Sequence, residues 1–267
     1  MSKVILITGG SSGIGKSIGE FLFKKGFTVY GTSRNPKNHA NSIFPLIALD
    51  VSDVESIENA IVSVVKQSGR LDVVINNAGA GITGPLEEIP NEEIRRNFET
   101  NLFGPINVIK SVLPQMRKQN SGLIINVTSI AGYMGLPYRG IYSASKGALE
   151  LITEAFRMEI KSFNIKMTNV APGDFATNIA AGRYHAPVKD NSPYKKSYGN
   201  SLKLMDEHVD QGMDPKHMAE AVFKIINTKN PKIHYKVGEF MQKFSIVLKR
   251  ILPDKIYEKL LLNHYKL

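Results

Sequence analysis

Short runs of consecutive apolar residues alternate along this chain with stretches whose apolar positions recur every three or four residues. Val4–Thr8, Thr28–Thr32, Phe44–Leu49, Leu71–Asn76, Gly122–Thr128 and Lys166–Ala171 read as six strands, with a further one over Lys232–Val237. Between them, helical patterns run from the glycines after Thr8 to Lys25, from Val54 to Ser68, from Asn91 to Gln119 and from Tyr142 to Phe163. Strands separated by helices imply parallel pairing through crossover connections. A parallel sheet is covered on both faces, which explains strands that are apolar almost throughout. The expected fold class is therefore α/β, a doubly wound Rossmann fold with a central parallel sheet of about seven strands and helices on both faces.

Asp174 to Gly212 breaks this rhythm. It is rich in Gly, Asn, Ser, Lys and Tyr, with weak periodicity, and is expected to be an irregular substrate lid. Asp214 then suits a helix N-cap and Pro215 the first helical position. Residues 1–240 are expected to form one catalytic domain, with 174–212 as its lid and 241–267 as a C-terminal helical extension. In that extension Tyr257, Leu260, Leu261 and Tyr265 recur at helical spacing after Pro253.

Composition narrows the function classes. The chain has 267 residues, 42% of them hydrophobic, enough for a sizeable core. No apolar run approaches the roughly 18 residues of a membrane span, and Val4–Ile7 is too short for a signal peptide, so neither is expected. There are no cysteines, which excludes disulfides and thiolate chemistry and fits a cytoplasmic protein. No metal site is expected. The net charge is +10, and the segment from Lys232 onward carries eight Lys/Arg against three Asp/Glu, a net of +5. No basic, aromatic-interleaved block in the first two-thirds points to nucleic acid. The charge favours phosphorylated cofactors; the tail, read as short amphipathic helices with basic flanks, is expected to pack over the substrate cleft or on a second subunit, with peripheral contact with an anionic membrane as the alternative.

The loop Thr8-Gly9-Gly10-Ser11-Ser12-Gly13-Ile14-Gly15 joins the first strand to the first helix. Glycines there permit a tight turn and close backbone approach to a pyrophosphate, which the free N–H groups of the helix start would hold. The second strand ends in Ser33-Arg34, where NAD-preferring sites usually carry an acid. The planar guanidinium of Arg34 suits a 2′-phosphate, so the expected cofactor is NADP(H).

Tyr142 and Lys146 stand four residues apart and share one face of a helix. A neighbouring ammonium favours the phenolate, making the pair a candidate general acid/base. Asn76-Asn77-Ala78-Gly79 follows the fourth strand, Asn101 falls inside the long helical segment, Ser129 lies thirteen residues before Tyr142, and Pro172-Gly173 closes the sixth strand.

Glycine loop, Asn-Asn-Ala-Gly, serine, Tyr-x-x-x-Lys and Pro-Gly, in this order, resemble the short-chain dehydrogenase/reductase family over about residues 2–240. The resemblance implies that Tyr142 passes a proton to or from the substrate oxygen, that Lys146 tunes Tyr142 and binds the nicotinamide ribose, and that Ser129 orients the reacting oxygen. It further implies that Asn101 holds a water leading to Lys146. Gly9, Ser11, Ser12, Gly13, Ile14 and Gly15 would cradle the cofactor, with Ser33 and Arg34 at its 2′-phosphate. Asp50 and Val51 would meet the adenine, Asn77, Ala78 and Gly79 would line the groove, and Pro172, Gly173 and Thr177 would flank the nicotinamide carboxamide. A homodimer or homotetramer is implied as well.

The tail departs from acyl-carrier-protein-type members and looks more like members acting on steroids, retinoids or other hydrophobic alcohols. The expected activity is NADP(H)-dependent interconversion of a carbonyl and a secondary alcohol on a hydrophobic small molecule. A 3-oxoacyl-type reductase and a non-catalytic NADP(H)-binding sensor are the alternatives.

Overall fold

The computed structural model describes residues 2–177, 182–210 and 212–267, the side chains of 206–210 excepted. Its central sheet has seven parallel strands in the order β3-β2-β1-β4-β6-β7-β9. These are β1 (Val4–Ile7), β2 (Thr28–Ser33), β3 (Leu46–Ala48), β4 (Val73–Asn76), β6 (Gly122–Val127), β7 (Ile165–Pro172) and β9 (His234–Val237). A two-residue strand β5 (Ile82–Thr83), not foreseen from the sequence, pairs in parallel with β8 (Tyr184–His185). The helices are α1 (Gly13–Lys24), α2 (Val54–Ser68), α3 (Asn91–Phe98), α4 (Gly104–Gln119), α5 (Gly140–Glu159), α6 (Lys195–Asp210), α7 (Lys216–Ile226), α8 (Phe240–Ile251) and α9 (Asp254–Tyr265).

Side chains of β1 alternate between two cores. Val4 and Leu6 join Ile57 and Val64 of α2 and Val108 and Val112 of α4. Ile5 and Ile7 join Ile18 and Leu22 of α1 and Met218 and Val222 of α7. Period-two alternation in a strand thus serves both covered faces of a parallel sheet. The chain order reverses direction across the β1–β4 pair, so a crevice opens beyond the carboxyl ends of these strands.

Several expectations change. The single helix read over Asn91–Gln119 is three pieces, since a π-helical turn over Glu99–Phe103 joins α3 to α4. A π turn inserts an extra residue and re-aims its side chains, and such turns gather at functional sites. The lid is not irregular, because residues 195–210 form a four-turn helix. Its buried face is Tyr198, Ser201 and Met205. Ser, Gly and Asn dilute that stripe, so its helical period is weak in sequence. Residues 178–181 and 211 of the lid lie outside the described residues. Pro215 sits at the N-cap of α7 rather than inside the helix, and Asp214 is one residue earlier with its carboxylate still accepting from the Lys216 N–H at 2.8 Å.

Ile5 is fully buried on β1, whereas Val62 on α2 is 63% exposed. Ile5→Ala is expected to lower unfolding free energy by about 2–5 kcal/mol through the cavity it leaves, and Val62→Ala by under about 0.5 kcal/mol. Urea unfolding midpoints of the two variants check this, and equal shifts would contradict the two-layer core.

Candidate active site

The glycine loop lies at the carboxyl end of β1 and is built for close approach. Gly9 and Gly13 adopt φ of +64° and +51°. A Cβ at Gly15 would sit 2.3 Å from the Gly9 carbonyl and 2.4 Å from Asn77 Nδ2. Ser12 is the N-cap of α1, its side chain makes no capping bond, and the first turn carries no acid. The helix start therefore presents free N–H groups and positive dipole charge, which suits a phosphate. Ser11, Ile14 and Gly15 follow the same turn, and Ile14 reaches the wall of the adjacent cavity.

Asn77 holds this loop in place. Its backbone N–H donates to Thr8 Oγ1 at 3.0 Å, and its Nδ2 donates to the Thr8 and Gly9 carbonyls at 3.0 and 3.1 Å. Ala78 N–H also donates to Thr8 Oγ1. The Asn77 side chain is thus occupied in bracing the loop.

At the end of β2, Ser33 Oγ accepts from Asn35 N–H, and Arg34 is electrostatically coupled to Asp50. Partial burial pushes the Asp50 carboxyl up, but hydrogen bonds from Ser52 and the Arg34 charge outweigh this and hold it below its ordinary value. Asp50 does not cap α2. Asp53 does, accepting from the Glu55 and Ser56 N–H groups. Val51 is buried against Gly104.

Of the four candidate catalytic residues, Ser129 and Tyr142 border one cavity, and Asn101 and Lys146 are buried. Ser129 ends the strand as N-cap of a short 3₁₀ turn, and its Oγ accepts from Ala131 N–H at 3.2 Å. Ser129 and Tyr142 both line the cavity. Lys146, one turn further along α5, is buried and donates to the Val127 carbonyl at 2.9 Å. Burial pushes its ammonium pKa down, while Tyr142 and Glu150 act in the opposite direction. Asn101 stands in the π turn, fully buried, accepting from Ala80 N–H and donating to the Ala80 carbonyl, both at 2.9 Å. A Cβ at Gly79 would lie 3.2 Å from Asn101 Oδ1 and 3.3 Å from Lys146 Nζ, so glycine leaves room for both side chains beside it.

The cavity measures about 400 Å³ and is walled largely by apolar side chains, among them Met134, Phe175, Met205, Leu248 and Leu261. Pro172, Gly173 and Thr177 border it. α8 and α9 close one side. The Arg139 side chain hydrogen-bonds Tyr265 and lies 5.4 Å from the ring centre of Tyr142, which ties the last helix to the start of α5.

One group escaped the sequence reading. Glu150, one turn past Lys146, is buried and accepts from Tyr133 OH at 2.9 Å, Asn169 Nδ2 at 2.9 Å and the Thr128 hydroxyl. His234 Nδ1 lies 2.6 Å from Glu150 Oε2, and its Nε2 lies 3.0 Å from Glu154. The i,i+4 spacing from Lys146 was visible in sequence, but the partners come from three other strands and turns.

Residues 3–187 match the short chain dehydrogenase family model. The chain is 41% identical to a 3-ketodihydrosphingosine reductase of Bacteroides thetaiotaomicron, over 96% of this chain and 95% of that protein. It is 29% identical to an NADPH-dependent 3-dehydrocapnine reductase of Ornithobacterium rhinotracheale, over 99% of this chain and 98% of that protein. A short-chain dehydrogenase structure from Streptomyces avermitilis superposes with a TM-score of 0.86 at 31% identity, covering 100% of this chain and 97% of that one. The chain belongs to the short-chain dehydrogenase family. It is an oxidoreductase acting on CH–OH groups with NAD(P) as acceptor.

Glu150→Ala strands several buried donors without their acceptor. It is expected to cost about 3–5 kcal/mol of stability, whereas Glu154→Ala, whose side chain is 46% exposed, should cost under about 1 kcal/mol. Thermal melts compare the two, and a Glu150→Ala melt matching the parent protein would rule out a structural role for the cluster.

Proposed function

We propose that this protein is an NADPH-dependent reductase of a ketone on a long-chain lipid. The observation that carries the reading is the cavity itself. The Ser129 and Tyr142 hydroxyls line a cavity whose wall is mostly apolar, with Arg139, Asp174, Arg183 and His264 among its polar members, and the C-terminal helices close one side while the buried Lys146 ammonium stands one turn beyond Tyr142. The names of two relatives, a 3-ketodihydrosphingosine reductase and an NADPH-dependent 3-dehydrocapnine reductase, support the same substrate class and cofactor.

The uncapped start of α1 and the Gly9–Gly15 turn fit a pyrophosphate, and Arg34 with Ser33 fits a 2′-phosphate beside Asp50 and Val51. The bound cofactor supplies a hydride. Reduction of a ketone builds negative charge on its oxygen, so donors must already be in place. Ser129 Oγ donates to that oxygen and fixes its position, and Tyr142 delivers the proton. Lys146 keeps positive charge beside Tyr142, held in place by Val127 and favoured by Glu150. Asn101 anchors the Ala80 backbone next to Lys146, where a water could re-supply the proton. Gly79, Pro172, Gly173 and Thr177 shape the floor on which the nicotinamide would lie. The oxidation direction uses the same groups with Tyr142 as base.

Residues 174–212 together with α8 and α9 act as the substrate-selecting cover of the 1–240 catalytic unit. A tail that walls the cavity disfavours a bulky carrier-protein substrate. A cytoplasmic homo-oligomer remains part of the proposal, and no helix among the described residues is long and apolar enough to cross a membrane. Assay of NADPH oxidation with 3-ketodihydrosphingosine against a short 3-oxoacyl thioester tests the substrate. Preference for the thioester would overturn the lipid reading, and no turnover of either with tight NADPH binding would favour the sensor.

Tyr142→Phe should keep NADPH affinity and lose turnover by at least ~100-fold, read from steady-state kinetics and cofactor fluorescence. Arg34→Ala should weaken NADPH at least ~10-fold more than NADH, since only the former presents the phosphate, and titration of both cofactors decides it.

A further inference from the structure

The tail helices carry an apolar face that the fold does not cover. On α8, Phe240 is 72% exposed, Phe244 37%, Val247 44% and Ile251 67%. Their spacing of four, three and four residues places them in one stripe along the helix. The rings of Phe240 and Phe244 stack at 5.6 Å. On α9, Ile256 is 51% exposed and Leu260 45%. Met241 and Leu260 belong both to this exposed set and to the wall of the cavity. The apolar surface therefore runs without interruption from solvent into the cavity.

The same helices are basic. Residues 240–267 contain six Lys/Arg and two Asp/Glu, a net of +4. Lys249 is paired with Asp254 at 2.8 Å, while Lys243, Arg250, Lys255 and Lys259 are exposed. A second copy of the chain is a poor cover, because a two-fold interface sets a patch against itself and would oppose +4 to +4. An anionic lipid surface complements both properties, with apolar residues entering the headgroup boundary and the basic residues meeting lipid charge.

We propose that α8 and α9 dock the protein on an anionic bilayer, so that the cavity mouth opens into the membrane and a keto lipid enters without crossing water. This rests on the reading of the cavity as a lipid-ketone site.

The test is co-sedimentation of the full chain with vesicles of pure phosphatidylcholine and with vesicles of equal parts phosphatidylcholine and phosphatidylglycerol. The protein is expected to bind the mixed vesicles at least ~10-fold more tightly, with the difference falling as salt rises. The variant Phe240→Ser/Phe244→Ser/Ile251→Ser should lose that binding at least ~10-fold while its turnover of a detergent-dispersed keto lipid stays within about twofold. Failure of the parent protein to bind mixed vesicles, or equal binding by the variant, would overturn the proposal. So would light scattering showing a dimer that the triple variant dissociates, since the face would then be a subunit interface. Vesicle binding and turnover are read separately. Binding without keto-lipid turnover sinks only the substrate reading, and turnover without binding sinks only the docking.

Discussion

The Lys146 ammonium is held out of water, and much of the site follows from how that charge is accommodated. An isolated buried ammonium is costly unless acceptors and opposite charge surround it. Here the Val127 carbonyl at the end of β6 accepts a hydrogen bond from it, and the Glu150 carboxylate lies one turn further along α5. Glu150 in turn requires its own donors, which come from Thr128, Tyr133, Asn169 and His234. One buried charge thus recruits a polar network that joins α5 to β7, β9 and the turn after β6. The glycine at position 79 and the π turn that carries Asn101 serve the same centre from the other side.

This arrangement divides the molecule into a rigid base and a variable cover. The base is the parallel sheet, buried on both faces, with every strand of its centre ending at the crevice. Loops at those ends can be positioned finely because the strands beneath them cannot shift without breaking two cores. The cover is α6, α8 and α9 with the short β5–β8 pair. It contacts the base through apolar residues that include Ile130, Met134 and Tyr257.

The cover also relates chemistry to access. On the proposed reading of a lipid ketone, the mostly apolar cavity suits a substrate that spends little time in water. An exposed apolar stripe with basic flanks, sharing Met241 and Leu260 with the cavity wall, gives that substrate a continuous route. The bond from Arg139 to Tyr265 places the tail in direct contact with the start of α5, which carries Tyr142.

Much of this was legible along the chain, because strands, the glycine loop and the Tyr142/Lys146 spacing are local patterns governed by backbone geometry and helix period. The order of Gly9, Asn77, Asn101, Ser129, Tyr142 and Lys146 was enough to name the family and the reaction type. α6 was hidden because its stripe of Tyr198, Ser201 and Met205 is interrupted by poor helix formers. The role of Asn77 as a brace and the cap at Asp53 depend on side-chain direction, which spacing does not convey. By itself the sequence determined the sheet, its glycine loop and the family's reaction class. Only the tertiary structure decided that Glu150 meets His234, 84 residues away, and that the tail walls the cavity while leaving one apolar face bare. Pairings across such distances are set by how the two cores close, a property of the whole fold and not of any segment in it.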